Sequence, residues 1–528
     1  MNNVYLLDCT LRDGGYCNKW NFGSDSIPKI IESLIDSGID IVECGFVTDR
    51  VSFDKDCTKY PSVESVQISD SDVHLNATFV AMINYGEFDA KSIPVRSSKT
   101  IDGIRLAFHK KNIDEALKYC SEIKSKGYLV FVQAMVSISY SDSEFLSLIN
   151  KVNELEPYAF YIVDSFGNIQ NKDLMRYFYL ADNNLKSDIV VGFHSHNNLQ
   201  LAYSNARSLV EIHSNRSLII DSTIYGMGRG AGNLNTELFI QYLNNHCGKK
   251  YNIKPLLEMM DEIINKFYLI NPWGYSLPNY LSAVNNAHPN YAAFFSDKDC
   301  LTIDAMNELF ELMDSQKKFE FDKAYAEEMY LKYMESGKQS ELHKDDLARK
   351  VIDSTVLLIG PAMSSKTKKD KIIDYSKKEN VVCVSINHAY QYCETDFIFV
   401  SNMRRFMNLS TDDKRKSIIT SNIVSNEAFI RVNYRDLLIN DELLSDNAGL
   451  MAIKLFHQLG ANNIVLAGFD GYSYNSEDNY ADSQMTLITK KAILKARNVS
   501  MSRVLSEIYQ KGIISFLIEP RHYAIQQR

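Results

Sequence analysis

The sequence predicts an α/β protein with an N-terminal (β/α)8 TIM barrel, a helical extension and a C-terminal doubly wound, Rossmann-like α/β domain. Short apolar runs alternate with amphipathic stretches from the N-terminus to about residue 226. These runs are rich in β-branched residues along their whole length, which is typical of parallel strands buried on both faces. After Gly337 the composition becomes polar and charged, and a second alternating unit follows.

The barrel prediction depends on eight strand-like segments, the number that a closed (β/α)8 barrel contains in about 250 residues. Amphipathic segments separate most of them, for example SIPKIIESLIDSG, which has Pro28 early in the helix and Gly38 at its end. In chain order, the predicted strands are VYLLDCT, IDIVECGF, LNATFVAM, GIRLAFH, YLVFVQAM, AFYIVDSF, DIVVGFHSH and LIIDSTIYG.

The C-terminal part is predicted to form a separate domain after the charged segment GKQSELHKDDLARK. Five predicted strands alternate with helices there, and a long helical segment extends from about 481 to 511. In IGPAMSS a strand leads through a tight turn into a helix capped by Ser364 or Ser365, an arrangement that can bind anions. The predicted domains are 1–250 for the barrel, 251–345 for the helical extension and linker, and 346–528 for the Rossmann-like domain.

Composition and charge exclude several classes of protein. Apolar residues make up 45% of the chain and charged residues 23%, as in ordinary globular proteins. The formal net charge of −9 argues against nucleic-acid and anionic-membrane partners. Nine scattered cysteines without a C-x-x-C pair indicate a reducing compartment. With no membrane-length apolar run and no signal-peptide pattern, we expect a cytoplasmic protein; a homodimer is left open.

Polar residues end or closely follow most of the predicted barrel strands. One such residue alone would be interpreted as a core or rim group. Their repetition predicts a site at the C-terminal face of the barrel, where active sites of this fold lie. The residues are Asp8, Glu43, His109, Gln133, Asp164, His194, His196 and Asp221.

The segment FHSHN predicts a metal site. Because alternate residues of a strand project to the same side, His194 and His196 can converge on one point. Two imidazoles and a carboxylate bind divalent metals while leaving positions open for substrate. Asp13 is the expected third ligand if strands seven, eight and one lie side by side in a closed barrel.

Four motifs lie within about the first 250 residues: DCTLRDGG (8–15), DSFG (164–167), HSHNN (194–198) and GMGRGAGNLNTE (226–237). Together they resemble the DRE-TIM (HMGL-like) metallolyases, a superfamily that includes 4-hydroxy-2-oxovalerate aldolase, hydroxymethylglutaryl-CoA lyase and isopropylmalate or homocitrate synthases. They occur in the family's order, and the opening is most similar to the aldolase branch. The segment LPNYLSAVNNAHPNYAAFF resembles the helical extension of that branch.

The resemblance implies a metal site and an arginine beside it. Asp13, His194 and His196 match the metal ligands of the family, and Asn233 matches an asparagine that adds a ligand in some members. Arg12 matches an arginine that stabilises an enolate oxygen. The implied cofactor is a divalent ion, Mn²⁺ in first place, with Mg²⁺, Co²⁺ or Zn²⁺ as alternatives.

Two features have two interpretations each. Glu43 and Asp8 are expected either to orient Arg12 or a histidine ligand, or to form strand-end salt bridges. The glycines of GMGRGAGN either bind a phosphate or carboxylate together with Arg229, or let the loop pass close to Asn233. The second interpretation of the loop fits the family better.

The chain departs from the family at its general base. Aldolases of this family have a histidine three residues after the motif aspartate, where this chain has Tyr16. A phenol with a pKa near 10 is a poor base at neutral pH. His288 and Tyr291, in AHPNYA of the helical extension, are the other candidates, together with His109. HPNY could also be a packed corner between helices.

The C-terminal domain is predicted to bind a small molecule near Gly360, Asn387 and Asp470. The order GP-x-x-S, SINH and GFDGY faintly resembles Rossmann-type domains of sialyltransferase-like and motility-accessory glycan proteins. That resemblance implies a nucleotide or nucleotide-sugar ligand, whereas a purely structural domain is the alternative. The absence of G-x-G-x-x-G disfavours a nicotinamide cofactor.

The leading prediction is a metal-dependent aldolase, a carbon–carbon lyase acting next to a pyruvate-like 2-oxo acid enolate, with an aldehyde as the second substrate. A Claisen-type acyl-CoA condensing enzyme is the alternative in the same class, weakened by Gly-Gly-Tyr where those enzymes have Glu-Gln. A third hypothesis is a catalytically altered barrel that serves as a scaffold for a nucleotide-sugar-related transferase domain. Retention of the metal ligands argues against the third.

Overall fold

The chain folds into two compact units. The first comprises Met1–Ser296 and Phe310–Asp322, and the second Asp297–Leu309 and Lys323–Arg528. The two boundaries between the three domains predicted from the sequence stay a prediction. The computed structural model describes residues 3–68, 77–298, 301–335, 344–475, 478–482, 485 and 491–526.

The first unit contains a parallel sheet that closes into a barrel. Strand β1 pairs in parallel with both β9 and β2, so eight strands form a closed ring and β3 is a short addition beside β2. The predicted eight-stranded TIM barrel is confirmed. The strands are β1 (Val4–Asp8), β2 (Ile41–Val47), β3 (Lys59–Tyr60), β4 (Thr78–Asn84), β5 (Gly103–Phe108), β6 (Leu129–Ala134), β7 (Ala159–Asp164), β8 (Val190–Ser195) and β9 (Leu218–Ser222).

Helices follow most barrel strands and continue beyond the barrel. In α3, Ile27, Ile30 and Ile31 are buried at helical spacing. Short 3₁₀ turns lie at Ala90–Ser92, Lys110–Asn112, Ser137–Ser139 and Ile224–Gly226, and a π turn at Met260–Ile264. The helices are α1 (Thr10–Asp13), α2 (Gly15–Asn18), α3 (Ser26–Asp36), α4 (Ile113–Ser125), α5 (Asp142–Leu155), α6 (Asn171–Asn184), α7 (Ala202–Glu211), α8 (Thr236–His246), α9 (Lys254–Met259), α10 (Asn265–Ile270), α11 (Leu277–Val284) and α12 (Pro289–Ser296).

The barrel has an apolar core on both sides of its strands. A large cluster packs the helices against the outer strand faces, for example Leu6 of β1 against the helical layer that contains Ile31. A smaller cluster, with Leu7, Phe131 and Ile219, fills the interior. Since side chains alternate along a strand, most barrel strands contribute to both clusters. This packing leaves the C-terminal ends of the strands to polar residues.

The second unit contains a seven-stranded parallel sheet of order β14–β13–β12–β11–β10–β15–β16, which confirms a second α/β sheet. The chain builds outward from β10 to β14 and then continues on the other side of β10. The three-residue strands β14 and β16 were not predicted. The strands are β10 (Thr355–Ile359), β11 (Val381–Ile386), β12 (Phe397–Val400), β13 (Ser417–Thr420), β14 (Ile430–Val432), β15 (Ile464–Ala467) and β16 (Ile514–Phe516).

Two local predictions for the C-terminal part need comment. The prediction that Ser364 or Ser365 caps a helix is wrong, because the helix begins at Met363 and its N-cap is Ala362. Of the predicted 481–511 helix, 491–510 is helical, and 483–484 and 486–490 lie outside the described residues. The remaining helices are α13 (Ile303–Leu312), α14 (Lys323–Met334), α15 (Lys344–Val351), α16 (Met363–Thr367), α17 (Lys369–Ser376), α18 (Met403–Met407), α19 (Thr411–Arg415), α20 (Tyr434–Leu437), α21 (Ala448–Gln458) and α22 (Lys491–Gln510).

Candidate active site

The turn after β1 carries Arg12 and Asp13 into the mouth of the barrel. Asp8 holds this turn: its Oδ1 accepts from the Thr10 backbone N–H at 2.9 Å and its Oδ2 accepts from the Thr236 hydroxyl at 2.7 Å. Burial raises the pKa of Asp8 to about 6. In the structure Asp8 therefore shapes the loop, and its hydrogen bonds are not with Arg12 or with a histidine.

Strand β8 brings two histidines beside Asp13. His194 lies in the strand and His196 follows its last residue, with 5.2 Å between the ring centroids. Ligand atoms from Asp13, His194 and His196 all lie within 4.8 Å of one another, and all three residues are buried. The closure of β8, β9 and β1 thus assembles the group expected from the sequence.

The donor atoms of this group suit a divalent metal. His196 Nδ1 lies 3.7 Å from Asp13 Oδ2 and has no hydrogen-bond partner among the described residues. Asn233 donates its amide to Asp13 Oδ2, and its buried Oδ1 lacks a partner in the same part of the chain. Burial lowers the pKa of His196 to about 3, so its imidazole is neutral at pH 7. Neutral imidazole, carboxylate and amide oxygen are ligands of Mn²⁺ and similar ions.

A second carboxylate orients His194. Asp221 Oδ2 lies 3.0 Å from His194 Nδ1, which leaves Nε2 as the atom available to a metal. Cys9, His194 and Asp221 form a second set of residues that could hold a metal. However, burial raises the pKa of the Cys9 thiol, and its Sγ donates to the Ser222 carbonyl at 3.3 Å. A protonated thiol is a poor ligand, so Asp13 and the two histidines are the better set.

Arg12 is held in place with one of its nitrogens uncommitted. Its Nε donates to Glu43 Oε2 at 2.8 Å and its Nη1 to Asp13 Oδ1 at 2.7 Å. Its buried Nη2 has no partner among the residues described. Two bonds therefore fix the guanidinium plane and leave Nη2 without a partner among the described residues. The Glu43–Arg12 contact is a buried ion pair, which is compatible with both interpretations of Glu43 made from the sequence.

Sequence reasoning missed Arg105, which lies fully buried inside the barrel. Its Nη1 donates to Glu43 Oε2 at 2.7 Å, and its Nη2 donates to Asp221 Oδ2. Through these two carboxylates Arg105 connects Arg12 with His194. The available signal was a lone arginine in the otherwise apolar strand GIRLAF.

Two neighbours complete the environment of Arg105. The Tyr161 hydroxyl donates to Asp221 Oδ1 at 3.1 Å. With its amide turned to satisfy both groups, Gln133 accepts from Arg105 Nη2 at 3.0 Å and from Nε at 3.2 Å. The guanidinium donors are thereby distributed over three acceptor residues, as a buried arginine requires.

Arg229 connects two candidate bases to the metal group. Its Nη1 lies 3.3 Å from His288 Nε2, and its Nη2 lies 3.5 Å from His196 Nε2. Its guanidinium also lies 5.2 Å from the centroid of the Tyr16 ring. Tyr16 is 38% exposed, and desolvation of its phenol raises its pKa, so the phenol keeps its proton at pH 7. Burial together with Arg229 holds the pKa of His288 well below its usual range, so its imidazole stays neutral.

The contacts of His288 compete for its lone pair. The Asn290 backbone N–H points at His288 Nδ1 at 3.2 Å, while Arg229 faces Nε2. A neutral imidazole has one acceptor nitrogen, so only one of these contacts is a hydrogen bond at a time.

Tyr291 and His109 are not joined to this group by direct hydrogen bonds between described residues. The Tyr291 hydroxyl donates to the carbonyls of Lys317 at 3.0 Å and Glu320 at 3.1 Å, and accepts from the Asp322 N–H at 3.2 Å. These contacts indicate that Tyr291 anchors a segment of the extension. His109 is half-buried, and burial lowers its pKa.

The glycine-rich loop passes directly over the metal group. A Cβ on Gly228 would lie 2.3 Å from Asn233 Nδ2 and 2.9 Å from Asp13 Oδ2. Gly232 has a φ of +85°, and a Cβ there would lie 2.0 Å from the Gly226 carbonyl oxygen. Gly228 therefore lets the loop approach Asn233 and Asp13, and Gly232 lets the loop fold closely on itself.

The three residues predicted to bind a ligand in the second unit lie together. Gly360, Asn387 and Asp470 line one cleft at the C-terminal ends of its strands. This cleft is separate from the barrel group, since all residues of its lining belong to the second unit.

Comparison with known proteins agrees with the barrel and its motifs. The HMGL-like family profile matches residues 3–263. Oxaloacetate decarboxylase from Mycobacterium tuberculosis is 26% identical over 239 residues, covering 45% of this chain and 69% of that protein. 4-Hydroxy-2-oxovalerate aldolase from Pseudoalteromonas translucida is 26% identical over 274 residues, which cover 49% of this chain and 78% of that protein.

Among solved structures, the N-terminal domain of a proposed aldolase from Bacteroides vulgatus is 28% identical, with a TM-score of 0.46 over 55% of this chain and 96% of that one. Within the described residues, no helix is long and apolar enough to cross a membrane. The profile match and the curated relatives cover the barrel, whose residues 3–263 match the HMGL-like family of DRE-TIM metallolyases.

Proposed function

We propose that the barrel is a metal-dependent aldolase that makes or breaks a carbon–carbon bond next to the enolate of a pyruvate-like 2-oxo acid. One observation carries the proposal: a buried Asp13–His194–His196 group lies beside Arg12, whose Nη2 is uncommitted within the described structure. The relatives named as an aldolase and a decarboxylase support carbon–carbon lyase chemistry.

The metal ligands and Arg12 would have different roles in this reaction. Asp13, His194 and His196, with Asn233, would hold Mn²⁺ or a similar ion, which when bound supplies Lewis-acid polarisation of a 2-oxo group. Arg12 Nη2 would donate to the oxygen on which negative charge develops. Since Glu43 and Asp13 already fix the guanidinium plane, little reorganisation is needed when that charge appears.

A second candidate function is decarboxylation of a 2-oxo acid that carries a carboxylate on C3. The observation that favours it is the state of Tyr16 and His288, a phenol with a raised pKa and an imidazole whose acceptor faces two donors. Aldol cleavage needs a base to remove a hydroxyl proton. In decarboxylation the bond between C3 and the carboxylate breaks, and its electron pair stays on the enolate, so no hydroxyl proton has to be removed. A proton is later added at C3.

Solvent deuterium exchange tests the proposal. With Mn²⁺ in D₂O, we expect the protein to exchange the C3 protons of pyruvate, read by proton NMR, if the aldolase assignment holds. Metal-dependent loss of CO₂ from oxaloacetate without pyruvate exchange would favour the decarboxylase instead. Absence of both reactions in metal-loaded protein would refute both assignments.

The role of Arg12 predicts a specific kinetic loss. Arg12→Lys keeps the charge but loses the planar fork, so the faster of the two reactions should slow by at least about tenfold with unchanged metal content. Arg207→Lys, at an exposed arginine paired with Glu211, is the matched control and should leave the rate unchanged. Wild-type rates in Arg12→Ala would show that Arg12 only forms a salt bridge.

The base assignment predicts an order among three variants. If the aldolase assignment holds, we infer that His288 is the base, because its neutral imidazole can accept a proton when its contact with Arg229 or Asn290 opens. We then expect His288→Ala to abolish pyruvate exchange and Tyr16→Phe to reduce it only modestly, because the raised pKa makes the phenolate scarce. Tyr291→Phe keeps the ring and loses the hydroxyl contacts with the Lys317 and Glu320 carbonyls, so exchange should persist there. Complete loss of exchange in Tyr16→Phe with pyruvate still bound would reverse the assignment.

A further inference from the structure

A cleft in the second unit lies where the order of its parallel strands reverses. It opens at the C-terminal ends of β10, β11, β12 and β15, on either side of the step from β10 to β15. The cleft is open to solvent, and residues that follow all four of these strands line it. Open α/β sheets bind ligands at such switch points.

Two glycines form the floor of this cleft. A Cβ on Gly360 would lie 2.3 Å from the Gly468 carbonyl oxygen, and one on Gly468 would lie 2.4 Å from the Gly360 carbonyl oxygen. Gly468 also has a φ of +74°, which side-chain-bearing residues rarely adopt. The ends of β10 and β15 therefore approach closely without side chains filling the space above them.

Asp470 has a buried side-chain oxygen for which the described residues provide no hydrogen-bond donor. The residue is 1% exposed. Its Oδ2 accepts from the Ser364 backbone N–H at 2.9 Å, while its Oδ1 has no hydrogen-bond partner in the described part of the chain. A buried carboxylate oxygen without a donor is costly. In a cleft lining, it indicates a ligand that brings a hydroxyl or amine.

The walls carry cationic and aromatic groups. The Arg405 guanidinium lies 5.8 Å from the centroid of the Tyr480 ring, and that of Arg497 lies 5.6 Å from the Tyr472 ring. Arginine recognises phosphate through its planar set of donors. Phe469 and the two tyrosines offer ring surfaces against which a flat base can pack.

We propose that this cleft binds a nucleoside phosphate. The arginines contact the phosphate, Asp470 accepts from a hydroxyl of the sugar, and the aromatic side chains contact the base. A single ligand with an anionic group, sugar hydroxyls and a planar ring can contact the arginines, Asp470 and the aromatic rings at the same time. A free nucleotide and a nucleotide sugar share this chemistry. This proposal does not depend on the proposed function of the barrel.

Calorimetric titration of the full chain tests the proposal with AMP, GMP, CMP, UMP and UDP-glucose, and with ribose 5-phosphate and inorganic phosphate as partial ligands. We expect at least one nucleotide to bind one site per chain with a Kd below about 100 μM. It should bind at least about tenfold more tightly than either partial ligand, because both lack the base. Tighter binding of UDP-glucose than of UMP would identify a nucleotide sugar as the source.

Two cleft variants and one control locate the site. Asp470→Asn and Arg405→Gln should each weaken nucleotide binding by at least about tenfold. Arg415→Gln, at an exposed arginine of the same unit, should leave it unchanged. Circular dichroism checks that each variant is folded. If one of the two cleft variants does not fold, Tyr472→Leu, at another residue of the cleft lining, is measured in its place and should likewise weaken nucleotide binding.

Three results would overturn the proposal. They are binding of all nucleotides no tighter than of inorganic phosphate, unchanged affinity in the folded cleft variants, and loss of nucleotide binding in His194→Ala/His196→Ala. The last would place the nucleotide at the barrel instead.

Discussion

The His194→Ala/His196→Ala double variant is expected to lose its divalent metal and, with it, all measurable carbon–carbon chemistry. Both imidazoles contribute to the group within 4.8 Å of Asp13, so their removal leaves one carboxylate and one amide. We expect wild-type protein to bind Mn²⁺ with millimolar affinity or better, and the variant to bind it at least about 100-fold more weakly, since even partners of ligands change affinity by 10–100-fold.

Elemental analysis and Mn²⁺ titration measure this loss. His213→Ala/His246→Ala is the matched control, because it removes two exposed histidines of the same unit. Far-UV circular dichroism should be unchanged in both variants, since the mouth of the barrel is not its packed core. Equal metal content in wild type and His194→Ala/His196→Ala would eliminate the proposed centre.

Arg105→Met is expected to destabilise the barrel strongly. It leaves Glu43 and Asp221 buried without their shared cation, and breaking a buried ion pair by removing one partner costs about 3–5 kcal/mol. At about 2 °C per kcal/mol for a unit of this size, the barrel transition in scanning calorimetry should fall by at least about 6 °C. Arg176→Met removes an exposed arginine paired with Asp142 and should shift it by at most about 2 °C.

A triple variant separates stability from positioning. Arg105→Met combined with Glu43→Gln and Asp221→Asn removes the uncompensated charges, so part of the lost stability should return. Turnover should stay low, because Arg12 and His194 lose the carboxylates that hold them. Recovery of both stability and turnover would show that Arg105 and its partners do not position the site.

Much of the barrel could be predicted because each strand shows its pattern of apolar and polar residues within a short stretch of sequence. Strands covered on both faces appear as continuous apolar runs, and polar residues interrupt them where the strands end. The period of two in His194-Ser195-His196 brings both imidazoles to one side. Strands β14 and β16 were missed because three residues are too few to show any period.

The sequence alone determined that this chain has a barrel of eight parallel strands, a second parallel sheet and a motif set in which Asp13, His194 and His196 meet. Tertiary structure alone decided how these residues are held. Arg105 meets Glu43 and Asp221 across separations of 62 and 116 residues, so barrel closure creates the network. The tertiary structure also determines that the Tyr291 hydroxyl donates to backbone carbonyls and that Asp470 Oδ1 has no donor in the described chain. Hydrogen-bond partners depend on side-chain directions in three dimensions, which strand and helix periods do not encode.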